Sequence, residues 1–127
     1  MNTQTRRQRG EEKMNDVYAG DVVVPPEGYH FTDIMLETLF AEVWTRETLS
    51  MRDKRIVLLG MIAAQGEQKT FKIQTKAGIK NGELSAVDIR ELHLFIAQYC
   101  GYPRAASLLG PMEEAIAEAQ KDLEKGE

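Results

Sequence analysis

The chain has 127 residues, 43% apolar and 28% charged, which is enough for one globular domain with a modest core. A formal net charge of -4 excludes the basic surface that phosphate binding draws on, so no nucleic-acid partner is expected. One cysteine excludes an internal disulfide, and no apolar run approaches the ~20 residues that cross a bilayer, so no membrane partner is expected and the cytoplasm is the expected location.

Residues 1–10 are polar and basic, with Arg6, Arg7 and Arg9, and read as a mobile arm with nothing to bury. A short helix is predicted over 11–18, where Met14, Val17 and Tyr18 share a face and Gly20-Asp21 stops it. Val22-Val23-Val24-Pro25-Pro26 must run extended, because each proline pushes its predecessor out of the helical region and valine disfavours it too. Residues 1–30 therefore read as an arm, a short helix and a strap crossing another surface, and residues 31–127 as the helical domain. Thr32 is the expected cap of a helix to about Thr45, with Ile34, Met35, Leu39 and Val43 as its apolar stripe. Trp44 ends it, as core or as pocket wall. Glu42 is either a solvated edge or an acid facing a pocket.

Ser50-Met51-Arg52-Asp53 fits a helix start in which the hydroxyl accepts a free backbone N–H. The run Ile56–Ala64 that follows is apolar on every side and is expected in the middle of a bundle. Arg55 lines up with Met51, Leu58 and Ile62, so its guanidinium points at protein and must be paired. It either holds an internal carboxylate, Glu91 first or Glu42, or receives a substrate carboxylate. Over 67–80 a further helix carries Lys69, Lys72, Lys76 and Lys80 on an expected wet face and Phe71, Gln74, Ala77 and Gly78 opposite. Asn81-Gly82 closes it, and Ser85-Ala86-Val87-Asp88 caps the next, so the two lie antiparallel and bring Gln74 near His93.

Ile89, Leu92, His93, Ile96 and Cys100 recur at helical steps along that helix, and its two reactive groups share the stripe. The imidazole is either a satisfied core group or a proton carrier. Gly101 supplies the left-handed turn and Pro103 opens the following helix. Ala105, Ala106, Leu108 and Leu109 continue the pattern to Gly110-Pro111, where a break or kink is expected. A final helix over 112–125 buries Met112, Ala115, Ile116, Ala119 and Leu123 and exposes Glu113, Glu114 and Glu118.

The corner Tyr99-Cys100-Gly101-Tyr102-Pro103-Arg104-Ala105, preceded by Ile89-Arg90-Glu91, resembles the tyrosine-x-glycine-x-proline signature of the carboxymuconolactone decarboxylase family, within the alkylhydroperoxidase D-like superfamily. Glu42-Val43-Trp44 with Leu49-Ser50 and Arg55, and Asn81-Gly82 with Asp88-Ile89, resemble further blocks of it over roughly 35–118. The resemblance implies an all-α fold, a five- to six-helix bundle that assembles into a homo-oligomer, a trimer or hexamer. It also implies cofactor-free decarboxylation of a small carboxylated unsaturated lactone in aromatic-compound breakdown, whose conjugated carbonyl serves as electron sink. Glu91 is loosely similar to a proton-relaying acid of the redox branch. At position 74 the decarboxylases carry a histidine; glutamine there cannot exchange a proton near neutral pH.

On this reading His93, Gln74, Glu91 and Cys100 are the catalytic candidates, and Arg55, Trp44, Tyr99 and Arg104 the substrate-binding ones. The ligand is a small carboxylate or lactone, and neither a cofactor nor a metal is expected, since no ligand spacing for one is present. Peroxidase relatives use a cysteine pair with two residues between its members, the second thiol resolving the first. Cys100 has no such partner and sits at the unfavourable end of a helix dipole, so it is a pocket wall rather than a nucleophile. Three readings follow: an acid-base lyase or isomerase, a thiol-dependent redox protein, and an oligomer without chemistry. The first requires Gln74, His93, Cys100 and a guanidinium to line one hollow.

Overall fold

The computed structural model describes residues 3–126 and contains helices and no strand among them, the all-α fold that the sequence predicts. It divides into two compact units, Met1–Leu49 and Ser50–Glu127.

In the first unit, α1 (Arg6–Val17) begins inside the stretch expected to be a mobile arm. A capping box starts it: the Thr5 hydroxyl accepts from Gln8 N, and the Gln8 side chain accepts from Thr5 N. Arg7 is buried because three acceptors take its charge and its donors. Its Nε donates to Glu11 Oε2 at 2.9 Å, its Nη2 to the Pro25 carbonyl at 2.6 Å, and its Nη1 pairs with Asp33. Gly10 is buried too, with α1 so near the next helix that a Cβ here would lie 1.9 Å from the Leu36 carbonyl oxygen.

That next helix, α2 (His30–Ile34), continues as a π-helical stretch, Met35–Val43. Thr32 does not cap it; Tyr29 does, and the Thr32 hydroxyl donates back to the Tyr29 carbonyl at 3.1 Å. The stripe is also not the expected one. Leu36, Phe40, Ala41 and Trp44 are buried, whereas Ile34, Leu39 and Val43 are exposed. Pairing five residues apart, as from Trp44 N to Leu39 O at 2.9 Å, widens each turn and moves the repeat from steps of three and four to steps of four and five.

The second unit holds α3 (Met51–Gln65), α4 (Gln68–Lys80), α5 (Ala86–Cys100) and α6 (Tyr102–Glu124). Its starts follow the predicted chemistry: the Ser50 hydroxyl accepts from Asp53 N at 3.0 Å, and Ser85 with Asp88 forms a reciprocal box. Gly101 turns the corner between α5 and α6 at φ 95°, which a side chain would strain, and Pro103 follows in the first turn of α6. Leu59, Phe71, Ile89, Ile96, Leu108 and Met112 meet in the core. α3 buries one face only, for Val57 and Met61 are more than half exposed, contrary to the central position predicted for it.

No break occurs at Gly110-Pro111. α6 runs through them for 23 residues, because Leu108, Met112, Ala115, Ile116 and Ala119 stay in register for burial and their packing outweighs one lost hydrogen bond. The lysine face of α4 is not simply solvated. Lys72 pairs with Glu114 and Glu118, Lys76 with Glu118 and Asp122, and Lys80 with Asp122, a ladder joining α4 to α6. The ion pair with Lys72 holds the Glu118 carboxyl below its usual value, and that with Lys80 does so for Asp122.

Candidate active site

Arg55 is fully buried in the second unit and its charge is answered inside the protein. Nε and Nη2 donate to the two carboxylate oxygens of Glu83 at 2.7 and 3.1 Å, and Nη1 donates to Gln74 Oε1 at 2.5 Å. Its stem lies along α4 where Gly78 has no side chain; a Cβ there would stand 3.3 Å from Arg55 Cγ. Glu83 is thus the partner, in place of Glu91 or Glu42. Glu42 pairs instead with Arg6 in the first unit, at 2.6 Å. A chain reversal at Gly82, with φ 73°, precedes Glu83 and brings it back toward α3, which helical periodicity alone does not reveal.

Of the groups expected in one hollow, Gln74 stands against the Arg55 guanidinium, Cys100 shares a cleft with Arg104, and His93 bonds to the α6 backbone. Gln74 bonds to Arg55. His93 places Nε2 2.7 Å from the Ala105 carbonyl of α6, and since a carbonyl only accepts, Nε2 carries the proton and Nδ1 is the remaining ring atom. One turn earlier Arg90 grips Glu113 with Nε and Nη2 at 2.9 and 2.8 Å, which lowers the Glu113 carboxyl and ties α5 to α6. Cys100 is half-buried in a cleft of about 510 Å³ with Gln65, Gly66, Pro103, Arg104 and Ser107. There Arg104 Nη1 donates to the Ala64 carbonyl at 2.6 Å, closing the end of α3. Tyr99 is 83% exposed and packs its ring on Phe95 at 5.4 Å. Trp44 is buried in the first unit.

A second concavity, of about 310 Å³, lies between α3 and α5. Arg52 and Ile56 form one wall, Asp88, Glu91, Leu92 and Phe95 the other, and Leu84 adds to the apolar lining. Asp88 is committed to the cap of α5: Ser85 N donates to its Oδ2 at 2.9 Å, and this bond above all lowers its carboxyl, with Arg52 adding to the effect. Glu91 is different. It is exposed to the groove, and among the described residues its carboxylate takes part in no hydrogen bond or ion pair. An acid without a structural task, beside an apolar wall and a guanidinium, can exchange a proton with a bound molecule. Arg52, in the first turn of α3, is the residue of this site that the sequence reading did not single out. Its spacing to Asp88 and Glu91 exists only after α3 and α5 pack. Among the described residues no group of three or more His, Cys, Asp or Glu side chains is placed to hold a metal ion.

Helices joined at a glycine-proline corner, with the exposed Glu91 on the helix before it, give an all-α protein of the carboxymuconolactone decarboxylase type. The profile of the carboxymuconolactone decarboxylase family matches residues 30–114, and the chain belongs to that family. It is similar to the nitrosuccinic acid decarboxylase npaB of the fungus Metarhizium robertsii, 27% identical over 95 residues, a span covering 75% of this chain and 64% of that relative. The chain therefore spans less than two thirds of the relative's length. No solved structure is matched significantly.

Proposed function

We propose that the protein is a decarboxylase of a small acid whose leaving carboxylate stands next to an electron-withdrawing group, and that it works without metal or organic cofactor. The observation that carries this is the uncommitted Glu91 carboxylate in the α3–α5 groove. Breaking the carbon–carboxylate bond leaves an electron pair on carbon, which the substrate's own carbonyl or nitro group can accept, and the protein must then return one proton to that carbon. Protonated Glu91 gives that proton and regains one from water. A carboxylated unsaturated lactone of aromatic-compound breakdown and nitrosuccinic acid, on which the fungal relative acts by its name, share this logic. His93 Nδ1 and Cys100 lie outside the proposed step.

The reading includes a cytoplasmic location and a homo-oligomer, and the more than half-exposed Val57, Met61 and Tyr99 support the assembly; sedimentation at micromolar concentration checks it. The chemistry is tested by incubating the protein with 4-carboxymuconolactone and with nitrosuccinate while following ultraviolet absorbance and carbon dioxide release. Turnover of either supports the reading, and a folded protein that releases no carbon dioxide from both ends it. Full activity in Cys100→Ser would exclude the thiol chemistry of the redox branch.

A further inference from the structure

Four arginines belong to the second unit, and three are spoken for. Arg55 is taken by Glu83 and Gln74, Arg90 by Glu113, and Arg104 by the Ala64 carbonyl. Arg52 makes no hydrogen bond to the protein among the described residues, although it lines the groove that holds Glu91. Asp88, on which it acts electrostatically, already accepts from Ser85 N through Oδ2. The guanidinium is therefore an exposed, charged fork beside an apolar wall of Ile56, Leu92 and Phe95, and its geometry matches a carboxylate.

A contact between Arg52 and the departing carboxylate would be strongest in the ground state and vanish as carbon dioxide forms, which slows the reaction. The productive partner is a carboxylate that stays. We propose that Arg52 is the specificity-determining residue of the groove: it binds the carboxylate that the substrate retains, with the carbon frame on Ile56, Leu92 and Phe95. This rests on the decarboxylase reading of the same groove. With about 310 Å³ available, the groove fits a short-chain diacid or a small carboxylated ring rather than a long one.

Succinate, a diacid that cannot react, separates the proposal from the reading beneath it. Titrated by NMR or calorimetry, it is expected to bind the wild type and to lose about tenfold in affinity in Arg52→Gln, with Arg52→Lys between the two. In turnover of nitrosuccinate, Arg52→Gln is expected to raise KM by a similar factor and leave kcat nearly unchanged, whereas Glu91→Gln lowers kcat. Succinate binding that disappears in Arg52→Gln, in a protein that turns over neither test acid, would end the decarboxylase reading and leave Arg52 as a diacid receptor. Equal succinate affinity in wild type and Arg52→Gln overturns the proposal. So does the absence of succinate binding in both, which is the result expected if a second copy of the chain covers the groove.

Discussion

Two arginines stand three residues apart on α3 and meet carboxylates in opposite settings. Arg55 is sealed in the core, with a bidentate Glu83 and a neutral Gln74 meeting its donors; Arg52 opens onto a groove where Glu91 has no partner. Burial explains the difference. A guanidinium in the interior is tolerable only when its charge and donors are met, so nothing remains for a ligand. At the groove water does that work until a ligand displaces it, and the side chains stay available. A buried and fully answered arginine is thus a poor candidate for substrate binding even where a family signature includes it.

The contrast can be broken most severely at the buried end. Arg55→Ala strands Glu83 without its counter-charge and is expected to cost about 3–5 kcal/mol in a denaturation experiment, whereas Arg52→Ala stays within ~0.5 kcal/mol of wild type. Glu91→Gln should do the reverse, lowering kcat about 100-fold in the carbon dioxide assay with an unchanged melting temperature. Gln74→His sharpens the comparison. It exchanges a buried amide acceptor of Arg55 for an imidazole and is expected to cost about 1–3 kcal/mol without raising turnover, since position 74 is buried and does not line the groove. A gain instead of a loss is expected at Thr75, whose buried hydroxyl has no hydrogen-bond partner among the described residues; Thr75→Val should gain about 1 kcal/mol.

Acid stability probes the α4–α6 ladder instead. Glu118 and Asp122 have ordinary values of 4.5 and 3.8 and are held lower when folded, so the unfolded chain binds more protons across that interval. Their contribution is complete above the ordinary values and is lost as pH falls through the lowered ones. The melting temperature of wild type should fall as the pH drops below about 4.5, and Lys72→Gln with Lys80→Gln should flatten that fall.

Much of the second unit was legible from residues alone. Ser50, Ser85 and the Gly101–Pro103 corner act locally, through hydroxyls, a positive φ and a missing N–H, and local chemistry is what a sequence displays. The first unit was misjudged for the opposite reason. Arg7 is buried only because Asp33 and the Pro25 carbonyl arrive from elsewhere in the chain, and the π-helical stretch changes the period on which the stripe of Leu39 and Val43 was read. At the site, Glu91 stood out by its place in the signature helix. Its supposed bond to Arg55 failed because several acids competed for one guanidinium, and only the turn after Gly82 selects Glu83.

The contact at Gly10 sets a rule for variation. With the Leu36 oxygen 1.9 Å from the point a methyl would occupy, the first helix rests backbone to backbone on its neighbour, and no rotamer change relieves an added atom. A saturation library at this codon should return glycine alone. The loop between the two helices, by contrast, can be lengthened or rewritten as long as its proline carbonyl still reaches Arg7. The fixed quantity in this unit is a distance of approach rather than a chemical identity.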